Sequence, residues 1–133
     1  RFQPNVMLGA RARWSSDAPE VPARPTIRLA DHAPGFSGPD SKPVLDFTRS
    51  TGSKPVIDGT NFNQLLRGVD VRIGAGTPWA SGVQMPGAQG CSVQDVTVRI
   101  GSGYAGIVGG SGAGGSHTNV RVEGGRVGLD YTI

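Results

Sequence analysis

The 133-residue chain is long enough for one folded domain, and its 22 glycines, 10 prolines and 36% hydrophobic content suit short strands joined by tight corners. It has no apolar run near the roughly 18 residues of a membrane span and a single cysteine, Cys91, so it predicts neither a membrane partner nor an internal disulfide. Its net charge of +3 is spread along the sequence without a Lys/Arg run, so no nucleic-acid partner is predicted.

The N-terminal part of the chain carries few regular patterns. Residues 1–24 are rich in Arg, Pro, Ala and Ser and are predicted to be irregular, apart from a short turn at Asn5–Arg13. Short apolar stretches rich in Val, Ile and Leu then predict strands, and the segments between them, Ala33–Pro43 and Thr48–Pro55, have the composition of loops. The three predicted strands are Pro25–Leu29, Val44–Phe47 and Val56–Asp58.

From Leu66 onward the chain repeats itself. Three segments, Leu66–Ile73, Val93–Ile100 and His117–Gly124, can be superimposed, with Val69, Val96 and Val120 spaced 27 and then 24 residues apart. A second strand recurs at a similar interval, in the pairs Gly82-Val83, Gly106-Ile107 and Gly128-Leu129. Self-similarity at a period of roughly 20 to 50 residues indicates a repeat architecture.

The content of each repeat selects the architecture. Short strands alternate apolar and polar residues, and no helical stretch intervenes. The frame of a leucine-rich repeat is absent, and a propeller blade needs roughly 40 residues and four antiparallel strands. The sequence therefore predicts an all-β right-handed parallel β-helix, a solenoid with turns of about 22–27 residues, over 25–133. Because Ile133 is apolar and no polar cap precedes it, we expect this partial β-helix to continue beyond the chain or to be completed by another chain.

Stacking the repeats predicts columns of side chains. The valines expected inside are Val69, Val71, Val96, Val98, Val120 and Val122. Ile73 and Ile100 extend a further apolar stack that stops at Gly124. The columns expected outside are Asp70/Thr97/Arg121 and Arg72/Arg99/Glu123. Asp95 and Asn119 are expected to stack at a corner where a strand begins.

Several local motifs fail the test of structural context. Val96–Gly106 contains the G-x-G-x-x-G pattern of a dinucleotide site, but the Gly-rich stretch after it cannot form the required helix, so no cofactor is predicted. His32 and His117 lack metal-ligand spacing, so no metal site is predicted. A Ser/His/Asp triad built on Ser111 lacks the strand–turn–helix elbow, and no two acids are forced into the separation that an inverting glycosidase needs.

Trp79 lies in the predicted corner Gly76–Ser81. Its ring either stacks on a sugar or anchors the corner by packing on the strands, and the sequence leaves both alternatives open.

The order of several Gly-rich blocks resembles that in the first β-helix of glycoside hydrolase family 55, the fungal and bacterial β-1,3-glucanases of the pectate-lyase-like fold. The blocks are Asn61–Asn63, Leu66–Asp70, Gly82-Val83, Ala88–Val96, Gly106-Ile107, Gly110–Gly115 and Val122–Leu129. Pro25–Ala30 matches the preceding turn of that β-helix. The resemblance covers a little over half of the chain.

This resemblance implies part of a secreted glycoside hydrolase that acts on β-1,3-glucan or a related glycan by inversion, with a polysaccharide as its partner. It implies that Gln89 and Ser111 help to place the attacking water, that Trp79 contacts the substrate, and that the general acid, a Glu of a second β-helix, lies outside this chain. Where the family commonly has an aromatic residue and Gln, this chain has Met85-Pro86. The alternative is a non-catalytic structural or carbohydrate-binding β-helix segment, as in adhesins and tailspikes.

Overall fold

The computed structural model describes residues 5–9, 24–50, 55–56 and 60–132, and every regular element in these ranges is a β-strand. The strands are β1 (Val6–Leu8), β2 (Thr26–Arg28), β3 (Lys42–Asp46), β4 (Arg49–Ser50), β5 (Pro55–Val56), β6 (Leu65–Arg67), β7 (Asp70–Arg72), β8 (Ala80–Gln84), β9 (Ser92–Gly101), β10 (Ala105–Val108), β11 (Ser116–Gly124) and β12 (Val127–Asp130). The all-β prediction is confirmed for the described residues.

Strands that are distant in sequence pair in parallel and form three rows. The first row runs from β1 through β6 to the first halves of β9 and β11. The second row runs from β2 through β7 to the second halves of the same two strands. The third row is a separate four-stranded sheet in the order β3, β8, β10, β12. We call β1–β3 the first repeat, β6–β8 the second, β9 and β10 the third, and β11 and β12 the fourth.

The register of the rows agrees with the spacing of the valines in the sequence. Val98 pairs with Val71 on one side and with Val122 on the other, and Val96 pairs with Val120. The other recurring strand is confirmed as well, because Ile107 pairs with both Val83 and Leu129. Paired strands lie about 4.8 Å apart, so side chains of one column are in contact.

The valine columns form the centre of the core. Val71, Val96 and Val98 are fully buried and Val69 is nearly so, which confirms their predicted position. Val120 and Val122 of the fourth repeat pack against this core but are only half-buried. Full burial of one valine contributes about 1.5 kcal/mol or more, so the second and third repeats carry most of this stabilisation.

Residues in the left-handed conformation mark the corners between the rows. At the first corner, which joins the first row to the second, Gly68, Asp95 and Asn119 have φ angles of 69°, 54° and 51°. Gly has no Cβ to clash in this conformation, and Asn and Asp tolerate it better than other residues. Asn119 Nδ2 donates to Asp95 Oδ1 at 2.9 Å, so the predicted stack of these two residues is confirmed. Gly68 also divides the predicted strand Leu66–Ile73 into β6 and β7.

Asp70 and Thr97 lie outside the valine stack, as expected, yet they are only 7% and 4% exposed. Arg24 covers them, because its Nε donates to Asp70 Oδ1 and its Nη2 donates to Thr97 Oγ1, both at 2.8 Å. The backbone N–H of Thr97 also donates to Asp70 Oδ1, at 2.9 Å. A side chain that precedes the first predicted strand therefore joins the second and third repeats.

Two local expectations differ from the structure. Val6–Leu8 forms β1 and pairs with β6, although no strand was predicted before residue 25. The predicted loop Thr48–Pro55 contains β4, which pairs antiparallel with β5. The remainder of the predicted strand Val56–Asp58 lies outside the described residues, as does Ile133.

Candidate functional site

The third corner, which joins the third row back to the first, holds both residues for which a catalytic role was predicted. Gln89 forms parallel bridges with Phe62 of the preceding repeat and with Ala113 of the following one. Its carbonyl oxygen accepts a hydrogen bond from Asn63 N at 3.0 Å, and Gly90 N donates to Ala113 O, also at 3.0 Å. The corner therefore has the same backbone path in three successive repeats.

The side chains of Gln89 and Ser111 differ in their surroundings. The side chain of Gln89 is exposed, whereas Ser111 is half-buried. Ser111 Oγ donates to the carbonyl oxygen of Ser116 at 3.3 Å, and the carbonyl oxygen of Ser111 accepts from Cys91 N at 3.2 Å. The two residues thus belong to adjacent repeats of one corner, and Cys91 connects them through its backbone.

A buried asparagine joins neighbouring segments of the chain at this corner. Asn61 is 4% exposed, and its Nδ2 donates to the carbonyl oxygens of Phe47 and Pro86, both at 3.0 Å. The Sγ of Cys91 lies 3.2 Å from the carbonyl oxygen of Asn61 and is fully buried. Sequence reasoning placed Asn61 in a repeated block but assigned it no role. Its role as a bridge depends on residues 47 and 86, which are far apart in sequence and which both accept hydrogen bonds from it.

Met85 and Pro86 stand where the resemblance would place an aromatic residue and Gln. Met85 is fully buried in the core, and the carbonyl oxygen of Pro86 is one of the two acceptors for Asn61. Neither side chain is exposed at the surface of the third corner. In this chain the pair is therefore buried and does not extend a binding surface.

Trp79 lies at the second corner, which joins the second row to the third. It precedes β8, whereas Gln89 follows it, and the five residues of β8 span about 16 Å. The structure therefore places Gln89 and Ser111 in adjacent repeats of the third corner and leaves Trp79 at the opposite end of β8. At the second corner its ring stacks on Tyr104 with centroids 6.5 Å apart, and the guanidinium of Arg126 lies 5.0 Å from the ring centroid.

A tyrosine–carboxylate pair extends this aromatic group. Tyr104 Oη donates to Asp130 Oδ2 at 2.7 Å, which raises the pKa of Tyr104. The pKa of Asp130 is lowered, chiefly by the hydrogen bond from Thr132 Oγ1 at 2.6 Å and then by Tyr104. Sequence reasoning missed this pair, because residues 104 and 130 meet only through the pairing of β10 with β12.

Three of the described carboxylates do not resemble a general acid. Such a group needs a raised pKa, so that it still carries its proton near neutral pH. Hydrogen bonds to Ala75, Asn119 and Thr132 lower the pKa values of Asp31, Asp95 and Asp130, respectively.

Other candidate chemistries find no matching geometry in the described ranges. No three His, Cys, Asp or Glu side chains there are close enough to hold a metal ion. Gly106, the third glycine of the dinucleotide-like pattern, lies inside β10, so the helix that would bind a pyrophosphate is replaced by a strand. In those ranges we also find no helix with the length and apolarity needed to cross a membrane.

Comparison with known proteins found no relative of this chain. The chain matches no protein-family model, and neither the curated proteins nor the solved structures include a significant match to it. The function is therefore inferred from the geometry of the chain itself.

Proposed function

We propose that this chain is a segment of a right-handed parallel β-helix and that it forms one wall of a secreted, polysaccharide-active protein. The enzyme class that we propose is a glycoside hydrolase that cleaves β-1,3-glucan or a related glycan with inversion of configuration at the anomeric carbon. The observation that carries the proposal is the third corner, where Gln89 bridges the repeats on either side and Ser111 of the following repeat accepts a hydrogen bond from Cys91 N.

The arrangement of the strands supports the β-helix. Each repeat passes through the three rows in the same order, and every pairing between repeats is parallel. The right hand follows from a general rule, because about 98% of connections between parallel strands of one sheet are right-handed. The two sheets approach closely at Gly82 and Gly106, because a Cβ there would clash with Val98 and Val122, respectively, as expected for a narrow interior.

The chemistry available at the third corner is that of positioning. An exposed amide such as that of Gln89 both donates and accepts hydrogen bonds, and the hydroxyl of Ser111 does the same. Neither group carries charge near neutral pH, so both can orient water or a sugar hydroxyl but cannot remove a proton. A base and an acid would have to come from another part of the protein.

The test uses the full protein and a soluble β-1,3-glucan such as laminarin. Gln89→Ala and Ser111→Ala are each expected to lower turnover by about tenfold or more with a smaller change in KM, because positioning matters most in the transition state. Gln94→Ala and Ser102→Ala are the matched controls, since they remove the same groups away from the third corner. Unchanged turnover per folded molecule in the Gln89 and Ser111 variants would refute the catalytic proposal.

A second function, glycan binding without cleavage, is favoured by the chemistry of the third corner, where the exposed Gln89 offers hydrogen bonds but no proton transfer. A β-helix without an acid–base pair can bind a glycan without cleaving it. In that case laminarin or a related glycan binds to the full protein, Gln89→Ala weakens the binding, and no reducing ends are released.

A further inference from the structure

The outward face of the second row carries arginines in register. Arg28 of β2 pairs with Arg72 of β7, and Arg72 pairs with Arg99 of β9. We call Arg28, Arg72 and Arg99 the arginine ladder. Arg72 is exposed, and the side chains of Arg28 and Arg99 are 58% and 44% exposed. The ladder therefore presents three cations to solvent at intervals of about 4.8 Å, the distance between paired strands.

The acids near the ladder neutralise its two ends and not its centre. Arg28 lies 3.4 Å from Asp31, and Arg99 lies 3.4 Å from Asp70 and 3.3 Å from Glu123. Among the residues that the structure describes, no carboxylate forms an ion pair with Arg72. Like charges directly opposite each other on paired strands are destabilising, so the centre of the ladder is a place where an external anion would relieve repulsion.

The neighbouring column adds positive charge. Asp70 is almost fully covered by Arg24, so its carboxylate is already satisfied and is not available at the surface. Arg121 follows Thr97 in the same column, and its side chain is 76% exposed. The face as a whole therefore has more accessible guanidinium groups than accessible carboxylates.

We propose that this face binds a linear acidic polysaccharide whose carboxylate or sulfate groups lie along the arginine ladder. A guanidinium group offers a planar pair of donors that matches the oxygens of such anions. The ladder runs across the strands at an interval comparable to the length of one sugar ring, so consecutive residues of an extended chain can meet consecutive arginines. The face lies in the second row, away from the third corner, so the proposal is independent of glucan hydrolysis.

The same face is less suited to nucleic acid. Single strands bind through aromatic side chains on which bases stack, and the residues of the outward columns are Thr, Asp, Arg and Glu. Double-stranded DNA is read by an element that enters a groove, whereas this face is a sheet surface. Phosphate contact alone is the remaining possibility, and it is one outcome of the test.

The test measures binding of the full protein to heparin, polygalacturonate, laminarin and double-stranded DNA. We expect heparin, polygalacturonate or both to bind, and the affinity to fall roughly 20- to 40-fold between about 50 and 200 mM salt if about three charges are neutralised. Heparin alone would identify sulfate as the anion, and polygalacturonate alone would identify carboxylate. Arg72→Glu is expected to weaken the binding by tenfold or more.

Lys42→Glu is the matched control, since it makes the same change of charge on β3 in the third row and should change the affinity less than twofold. Arg72→Gln is the second variant; it removes the charge without reversing it and applies if Arg72→Glu fails to fold. The proposal is overturned if neither acidic polysaccharide binds, if Arg72→Glu weakens laminarin binding as much as it weakens theirs, or if both charge reversals act equally. DNA binding of equal strength that Arg72→Glu abolishes would identify nucleic acid as the occupant instead.

Discussion

The third and fourth repeats have similar sequences but different environments. In the third repeat, Val96, Val98 and Ile107 are fully buried. Their partners in the fourth repeat are Val120 and Val122, which are half-buried, and Leu129, which is 44% exposed. β9 pairs with strands on both sides, whereas β11 pairs in the described chain with β9 alone. The burial of a repeat is thus decided by its neighbours, and the same pattern contributes different amounts of stability at different places.

The largest expected difference between the two repeats concerns a pair of glycines. A Cβ on Gly106 would lie 2.6 Å from Val122 Cγ1 and 2.7 Å from the carbonyl oxygen of Gly128, whereas a Cβ on Gly128 would meet nothing within 4 Å. Gly106→Ala should lower the free energy of unfolding by about 3 kcal/mol, because it overpacks a tightly filled interior. Gly128→Ala should change it by less than about 1 kcal/mol. Urea unfolding followed by circular dichroism measures both, and equal effects would contradict the comparison.

A smaller difference is expected for the valine columns. Val98→Ala removes two methyl groups from a fully buried site between Val71 and Val122, and should cost about 2 kcal/mol of unfolding free energy. Val122→Ala should cost about half as much, because Val122 is half-buried before the substitution. Both variants are compared by urea unfolding at the same pH. A larger loss for Val122→Ala would show that the fourth repeat is better covered than its exposure indicates.

The smallest expected effect concerns pH and the first row. His117 pairs with the fully buried Val93, its Nδ1 lies 2.7 Å from Tyr131 Oη, and its Nε2 is buried without a hydrogen-bond partner. Burial lowers the pKa of His117 from its ordinary value of 6.5. The folded state therefore binds the proton less well than the unfolded state, so stability is complete above pH 6.5 and is lost as pH falls through the lowered pKa.

His117→Val, which copies the residue of the third repeat, should remove this loss. The measurement is the midpoint of thermal unfolding between about pH 7 and pH 5, a window in which carboxylates with ordinary pKa values stay charged. His32→Gln is the control and should keep the wild-type pH dependence. If His117→Val keeps that dependence as well, another group is responsible.

Much of the strand register could be predicted because it depends on short-range patterns. Alternation of apolar residues and an interval of 24 residues are sufficient to align Val96 with Val120 and Val98 with Val122. The register of the first repeat was harder to predict, because Arg28 precedes Arg72 by 44 residues and the chain between them includes the β4–β5 pair. For this reason the sequence shows only part of the arginine ladder, and the basic residues look evenly spread.

The candidate site was predicted less well. The sequence order of Gln89 and Ser111 within similar Gly-rich blocks was sufficient to place them at one corner. It could not place Trp79, whose distance from Gln89 is set by the extended conformation of β8. Nor could it show that Arg24 covers Asp70, since that contact joins residues 46 positions apart and no local pattern encodes it.

The parallel rows also determine how the molecule responds to a pulling force. Hydrogen bonds between paired strands lie along the direction in which the repeats are stacked. A force that pulls the two ends of the stack apart therefore breaks the hydrogen bonds between one pair of repeats after another. A force along the strands would instead load many hydrogen bonds at the same time. Each repeat of about 24 residues that comes free would lengthen the chain by about 80 Å. The protein should extend in discrete steps, one repeat at a time.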